Sequence, residues 1–226
     1  MKIEYLVFNF LVFSLSGLGV GLYPGAVWPK LKPALGSILA IGLPYVIWDQ
    51  LVAEKWWWFN RTYILGWYWG KLPLEEVLFF LIVPWSCLVI WVNLKQLVKG
   101  GVSWPIEWLL IVFGILAAFG FYSRELVYSL TVSLLLVGFG LVSLLGKKWL
   151  RSQATLIFLG LVVILTLVFN GYLTARPIVI YNSDVMINWR IGTVPFEDVV
   201  YGLVLVGGVV RVYEWLIKLR ERHLVP

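Results

Sequence analysis

Charge is scarce in this sequence of 226 residues, of which 13% are charged and 61% are hydrophobic. An ordinary soluble domain carries about 25% charged residues, and the mean hydropathy of +0.90 is correspondingly high. These values exclude an ordinary soluble domain and indicate a polytopic membrane protein. Cys87 is the only cysteine, which excludes an internal disulfide.

Signatures of cofactor and metal sites are missing as well. Glycines at 17, 19 and 21 do not form G-x-G-x-x-G, so no dinucleotide-binding fold is supported. The only histidine, His223, lies in a basic tail, which argues against a zinc site. No aspartate-rich diphosphate motif exists, and no lysine lies between Glu197 and Leu216 to form a retinal Schiff base. We therefore expect no metal and no cofactor.

The apolar residues form seven long runs, and runs of about 18 or more are typical of transmembrane helices. We predict an all-α membrane protein with seven transmembrane helices: Ile3–Tyr23, Ala34–Ala53, Glu75–Leu97, Ile106–Tyr122, Leu126–Leu145, Ala154–Tyr172 and Glu197–Leu216. Of the 18 basic residues, 11 (among them Lys147 and Lys148) lie on one face of this arrangement. Basic residues favour the cytoplasmic side, which predicts an outside N-terminus and a cytoplasmic C-terminus. The net charge of +6 is spread over loops and tail, so no nucleic-acid partner is expected.

The stretch KLPLEEVLFF (Lys71–Phe80) places two adjacent carboxylates, Glu75 and Glu76, at the head of an apolar run. A charged side chain at the centre of a membrane helix costs about 2.5–3.5 kcal/mol on insertion scales. Two acids at this place therefore need an explanation. The simplest one is a helix start, where acids complement the helix dipole by about 0.3–1 kcal/mol.

A second copy of this pattern argues for more than a helix cap. TVPFEDVVYG (Thr193–Gly202) repeats it 122 positions later, with Glu197 and Asp198 in the place of the two glutamates. The shared pattern N-x9-G-x2-P-x-E-[ED] begins at Asn60 and again at Asn182. A generic cap does not require an asparagine and a glycine at fixed upstream distances.

The repeat predicts an internal symmetry of the kind found in membrane proteins. Spans 1–3 and 5–7 form two three-helix repeats, and span 4 is a linking helix. Because this fourth helix restores the direction of the chain, the two repeats are predicted to be parallel, with both acid pairs on one side of the membrane. The predicted domains are residues 1–100, the linking helix 101–123, and residues 124–226 with a basic C-terminal tail.

Glu75 and Glu197 are our first candidates for catalytic residues, because they are identical in the two copies, and Glu76 and Asp198 come next. A carboxyl in apolar surroundings beside a second acid retains its proton more readily than an exposed one. It can then act as a general acid.

Further polar and aromatic residues near the repeated pattern are candidates for substrate binding or support. They are Asn60, Asn182, Asp49, Arg190, Trp58, Trp67 and Tyr181. The two asparagines are expected to orient the carboxyls, and the aromatic loops to stabilise a cation by about 0.5–2 kcal/mol per contact. The alternatives are an interfacial aromatic belt for the tryptophans and a structural hydrogen bond at a helix end for Asp49.

These motifs resemble the two halves of the membrane-integral lycopene cyclases. The resemblance rests on IWDQ, WWFNRTYILGWYWGKLPLEEVLFFLIVPWSC, PIVIYNSDVMINWRIGTVPFEDVVYGLVLV and YPGAVWPKLKP. The family includes two-subunit bacterial enzymes, fused single chains and parts of bifunctional fungal proteins. Since both halves are present, the chain resembles the fused single-chain form.

The resemblance implies an intramolecular lyase or isomerase, a carotenoid cyclase that turns the ψ-ends of lycopene into β-ionone rings, first in γ-carotene and then in β-carotene. A carboxyl protonates C2, C5=C6 closes on the cation at C1, and a carboxylate removes the C6 proton, without net redox change. By analogy, Glu75, Glu76, Glu197 and Asp198 carry these steps, and one hypothesis pairs an acid from one repeat with a base from the other. The expected partners are lycopene, membrane lipid and other carotenoid-pathway enzymes, and the expected location is a prokaryotic cell membrane.

Two other functions remain open at the level of sequence. A transporter or proton-coupled carrier also uses acidic residues within a membrane, and it requires them in an aqueous path. A cyclase or hydratase acting on a related carotenoid would share the same motifs and differ in its products.

Overall fold

The computed structural model describes residues 2–145 and 149–224, so that Lys147 and Lys148 lie outside the described residues. The protein is mostly helical. Its helices are α1 (Glu4–Leu22), α2 (Leu31–Val52), α3 (Leu74–Leu97), α4 (Ile106–Tyr122), α5 (Val127–Leu144), α6 (Gln153–Ala175) and α7 (Phe196–Leu224). Short 3-10 helices cover Trp149–Arg151 and Ser183–Val185.

Within the described residues, six very short strands, which the sequence analysis did not predict, precede α3 and α7. They are β1 (Trp57–Phe59), β2 (Tyr68–Trp69), β3 (Leu72–Pro73), β4 (Val179–Tyr181), β5 (Arg190–Ile191) and β6 (Val194–Pro195). Each belongs to a two-stranded sheet, in the pairs β1 with β4, β2 with β3, and β5 with β6.

The helices fit a multi-pass membrane protein, as predicted from composition. Among the described residues, six are long and apolar enough to cross a bilayer, and α4 is a shorter apolar helix of 17 residues. Large apolar side chains also lie on the outer surface, for example Phe119, which is 79% exposed. This pattern is expected where lipid surrounds the helices. Seven crossings and parallel repeats remain predictions.

The chain divides into two compact units. The first unit comprises Met1–Ala53, Phe59–Leu97 and Leu205–Pro226, and the second comprises Glu54–Trp58 and Val98–Val204. In the first unit, α1 and α2 both pack against α3. In the second unit, α4 and α5 pack together, and a core cluster of Leu136, Phe139, Leu150 and Val204 lies beside them. The predicted division at residues 100 and 124, which rests on the repeat, is a separate hypothesis.

A tight hairpin leads directly into each acid-bearing helix. The register pairs Tyr68 with Pro73, Trp69 with Leu72, Arg190 with Pro195, and Ile191 with Val194. Each two-residue loop begins with a glycine of positive φ, +62° at Gly70 and +63° at Gly192. Glycine at this position is favoured in hairpin loops because a Cβ atom disfavours positive φ. The hairpins thus place the first turns of α3 and α7 at fixed points in the chain.

Helices α4 and α5 approach closely because two glycines lie at their interface. A Cβ atom on Gly140 would stand 3.0 Å from the carbonyl oxygen of Glu107, and one on Gly114 would stand 3.0 Å from that of Ser133. Small residues permit this kind of close backbone approach in membrane helices. The last helix also continues past the predicted end at Leu216, so that the basic segment after it is helical up to Leu224.

Candidate functional site

Both acids of the first pair are buried in the first turn of α3. Glu75 is fully buried, and its Oε1 accepts a hydrogen bond of 2.5 Å from the Leu65 backbone N–H. Helix α1 supplies two more donors: Asn9 Nδ2 donates to the Glu75 carbonyl oxygen at 2.8 Å, and the Tyr5 hydroxyl donates to Glu76 Oε2 at 2.6 Å. Two polar side chains one helical turn apart on α1 therefore bind the first turn of α3.

Glu197 occupies the equivalent place in the first turn of α7, within the second unit. It is only 2% exposed. Its Oε1 accepts hydrogen bonds from the Ser129 hydroxyl at 2.5 Å and from the Ile187 backbone N–H at 2.9 Å. The Ile187 N–H also approaches Ser129 Oγ at 3.0 Å, so the three groups form a small closed network.

Asp198, the second acid of this pair, is held by three side chains from three different elements. The hydroxyl of Tyr128 on α5 donates to Oδ1 at 2.7 Å. Asn170 on α6 donates to Oδ2 at 2.7 Å, and the hydroxyl of Tyr181 on β4 donates to Oδ2 at 2.5 Å. Both carboxylate oxygens are therefore engaged.

The local geometry of the two acid pairs repeats at the offset found in the sequence. Leu65 and Ile187, whose N–H groups bind the first acids, are 122 positions apart, as are Glu75 and Glu197. Further equivalent hydrogen bonds join Leu74 N to Trp67 O (2.8 Å), Phe196 N to Trp189 O (2.9 Å), Thr62 N to Asn60 Oδ1 (3.0 Å) and Asp184 N to Asn182 Oδ1 (3.0 Å). The sequence repeat is thus also a repeat of backbone conformation at the acids.

The first acid of each pair leaves one oxygen without a hydrogen-bond partner. Among the described residues, Glu75 Oε2 and Glu197 Oε2 are both buried and unpartnered. A buried, ionised oxygen without a partner is costly. A proton on this oxygen removes the charge and provides an O–H group that is not committed to another protein atom.

Aromatic rings surround the tyrosines of the second acid pair. We call this group the aromatic cluster: Trp56, Trp57, Tyr128, Tyr181 and Tyr201. The ring centroids of Tyr128 lie 5.7 Å from Trp56, 5.5 Å from Trp57 and 6.4 Å from Tyr201, and those of Trp57 and Tyr181 are 6.2 Å apart. Such π-systems attract a nearby cation, and they lie in the same unit as the buried carboxyls of Glu197 and Asp198.

The predicted supporting asparagines and Arg190 have backbone partners. Asn60 and Asn182 accept hydrogen bonds from the N–H groups two residues later, and Asn182 Nδ2 also donates to the Lys55 carbonyl oxygen at 3.2 Å. Arg190 donates to the Thr193 carbonyl oxygen at 2.9 Å within its hairpin. In the part of the chain that the structure describes, neither asparagine donates to an acid of the repeat, so both shape the turns that precede the acids.

The remaining predicted residues are divided between the surface and the interior. Trp58 and Trp67 are 41% and 67% exposed, so their rings lie at the surface. Asp49 is buried in α2. Tyr181 directly contacts an acid of the repeat, since its hydroxyl donates to Asp198.

Five polar partners of the acids were not identified from the sequence: Tyr5, Asn9, Tyr128, Ser129 and Asn170. A usable signal existed in the first span, since Tyr5 and Asn9 are four positions apart and lie on one helical face. An alignment of the two copies at the fixed offset of 122 does not point to the other three residues. The position 122 before Ser129 is Val7, and the one before Asn170 is Trp48. The two tyrosines that bind the second acids, Tyr5 and Tyr128, are 123 positions apart, one more than the offset of the acids.

Within residues 2–145 and 149–224, no group of three or more His, Cys, Asp or Glu side chains is arranged to hold a metal ion. Searches among curated proteins and among solved structures find no match. A family model described as "Lycopene cyclase" matches residues 3–93 and again residues 125–216. These two regions include both acid pairs and most of the chain, and they begin 122 positions apart. The chain therefore belongs to the lycopene cyclase family.

Proposed function

We propose that the protein is a lycopene β-cyclase that closes the ψ-ends of lycopene to β-ionone rings by acid–base catalysis in the membrane. The single observation that carries the proposal is the duplicated acid geometry. In each copy, the first acid is buried and one of its carboxyl oxygens accepts a hydrogen bond from a backbone N–H. Its other oxygen has no partner among the described residues. A tyrosine hydroxyl donates to the second acid of each pair.

In the proposed reaction, Glu75 and Glu197 carry a proton on the unpartnered Oε2. The proton passes to C2 of the substrate, and the C1=C2 π electrons form the new C2–H bond, leaving a cation at C1. The C5=C6 electrons then form the C1–C6 bond, which moves the cation to C5. Loss of the C6 proton to a carboxylate restores C5=C6 and gives the β-ring.

Atoms and electrons balance in this sequence, because one proton enters and one leaves for each ring. The proposed reaction is an isomerisation and needs no redox cofactor. Water must be kept from the cation, since it would add to it and give an alcohol. Burial of the acids supports this requirement, and the aromatic cluster suits the stabilisation of a cation.

The decisive experiment is expression in cells that make lycopene, with pigment analysis by chromatography. We expect β-carotene from the natural sequence and none from Glu75→Gln or Glu197→Gln. General acid catalysis contributes about 10²–10⁴-fold in rate, and β-carotene needs two ring closures. Loss of either donor therefore leaves lycopene or γ-carotene as the main pigment.

A matched control is Glu125→Gln, which makes the same chemical change at an exposed acid. It should leave β-carotene formation unchanged. Immunoblots of the membrane fraction confirm that each variant accumulates. Normal β-carotene from both Glu75→Gln and Glu197→Gln would contradict the proposal, and an oxygenated product from the natural sequence would favour a hydratase.

A further inference from the structure

Asp198 differs from Glu197 in how its two oxygens are used. Tyr128 donates to Oδ1, while Asn170 and Tyr181 donate to Oδ2, at 2.7, 2.7 and 2.5 Å. Glu197 receives both of its donors on Oε1, and its Oε2 has none among the described residues. Adjacent acids on one helix therefore lie in opposite hydrogen-bonding environments.

This difference has a chemical meaning. An ionised carboxylate is an acceptor at both oxygens, whereas a protonated carboxyl has one O–H that must donate. Donors that approach both oxygens of Asp198 match the ionised form, and hydrogen bonds to an ionised group are the shorter and stronger kind. At Glu197, an oxygen without a donor among the described residues suits a protonated carboxyl whose O–H does not bind another protein atom.

We infer that Tyr128, Asn170 and Tyr181 are positioning residues that hold Asp198 as the carboxylate that removes the C6 proton. This inference rests on the proposed function. The base accepts the C6 proton on one oxygen, and the C6–H electrons form C5=C6 and neutralise the cation at C5. Because three side chains fix the carboxylate, it selects the C6 proton over protons on the neighbouring carbons.

Selection of the proton determines the type of ring. Loss of a C4 proton from the same cation gives an ε-ring, and loss of a proton from the C5 methyl group gives a γ-ring. Each alternative also releases one proton and balances in the same way. A base that is less well held should therefore make more ε- and γ-rings without preventing ring closure.

The first copy of the repeat has other residue types at the positions equivalent to two of these donors. The position 122 before Tyr181 is Phe59, which has no hydroxyl, and the one before Asn170 is Trp48. Tyr181→Phe thus gives position 181 the residue type that the first copy already has. It is a conservative change that removes one donor from Asp198.

The test compares Tyr181→Phe and Asn170→Leu with the natural sequence in lycopene-producing cells, and it measures the ratio of β-rings to ε- and γ-rings. Tyr213→Phe is the matched control, since the buried Tyr213 hydroxyl accepts a hydrogen bond from Lys30 N at 3.0 Å and, among the described residues, donates to no acid of the repeat. We expect each test variant to lower the ratio by about tenfold, the effect of losing one hydrogen bond to a charged group. Tyr213→Phe should leave it unchanged.

The outcomes separate this inference from the proposed function. The positioning role is overturned if the test variants that accumulate in the membrane show the same ring ratio and the same rate as the natural sequence. In that case, β-carotene from the natural sequence would still support the cyclase. If ring formation falls but the ratio stays constant, the side chains serve only the fold and the inference also fails. Absence of any ring product from the natural sequence would refute both.

Discussion

At the scale of single residues, the carboxyl group of each first acid is held through one oxygen, and its other oxygen has no partner among the described residues. Glu197 Oε1 accepts from both the Ser129 hydroxyl and the Ile187 N–H, which fixes the rotation of the carboxyl group. This arrangement directs Oε2 away from the donors. Burial of an oxygen without a partner has a free-energy cost, and proteins accept such costs chiefly at functional sites.

Ser129 provides a prediction at this scale. Ser129→Ala removes one of the two donors to Glu197 Oε1, so the carboxyl is less well oriented, and we expect ring formation to slow by about tenfold. Initial rates of pigment conversion in isolated membranes measure this effect. Ser143→Ala is the control on the same helix, because the buried Ser143 hydroxyl has no hydrogen-bond partner among the described residues. Equal rates for the two variants would contradict an orienting role for Ser129.

At the scale of elements, the hairpin and the helix start form one unit of local structure. The β2–β3 and β5–β6 hairpins end at Pro73 and Pro195, and the next residue begins the helix. The acids therefore occupy the second and third positions of α3 and α7. A different set of contacts holds α4 and α5 together, where glycines bring the two backbones close.

Gly140 and Gly138 provide a prediction for the packing of α4 and α5. Gly140→Ala puts a methyl group 3.0 Å from the Glu107 carbonyl oxygen, whereas a Cβ on Gly138 meets no atom within 4 Å. We expect Gly140→Ala to destabilise the protein by about 1–3 kcal/mol, as overpacking does. Thermal unfolding in detergent should show a lower Tm for Gly140→Ala and no loss for Gly138→Ala. A Tm of Gly140→Ala equal to that of the natural sequence would mean that the helices separate at little cost.

At the scale of the whole molecule, the direction of the chain depends on α4. If this helix of 17 residues crosses the membrane, the two copies are parallel, and otherwise they are inverted. A length of 17 residues lies at the lower end of the range for membrane spans. The distribution of basic residues predicts that the segment before α4 is cytoplasmic and the segment after it is outside.

Cysteine labelling tests this orientation. Cys87 is the only cysteine, so Cys87→Ala gives a cysteine-free background. In that background, Ser123→Cys should react with a membrane-impermeant maleimide on intact cells, and Ser103→Cys should react only after permeabilisation. Both serines are exposed and flank α4. Labelling of both positions from the same side would show that α4 does not cross.

The sequence by itself determined the membrane class, the helix positions, the duplicated motif and the four acids, because these depend on composition and on short-range order along the chain. The observed helix ends differ from the predicted ones by a few residues at most places. The hairpins before α3 and α7 were not predicted, although their loops place glycines at the positive-φ positions Gly70 and Gly192. Only the tertiary structure decided which side chains bind the acids. Tyr5, Tyr128 and Asn170 are between 28 and 71 positions from their acid partners. Contacts over such distances depend on how the helices pack, and no local pattern encodes that.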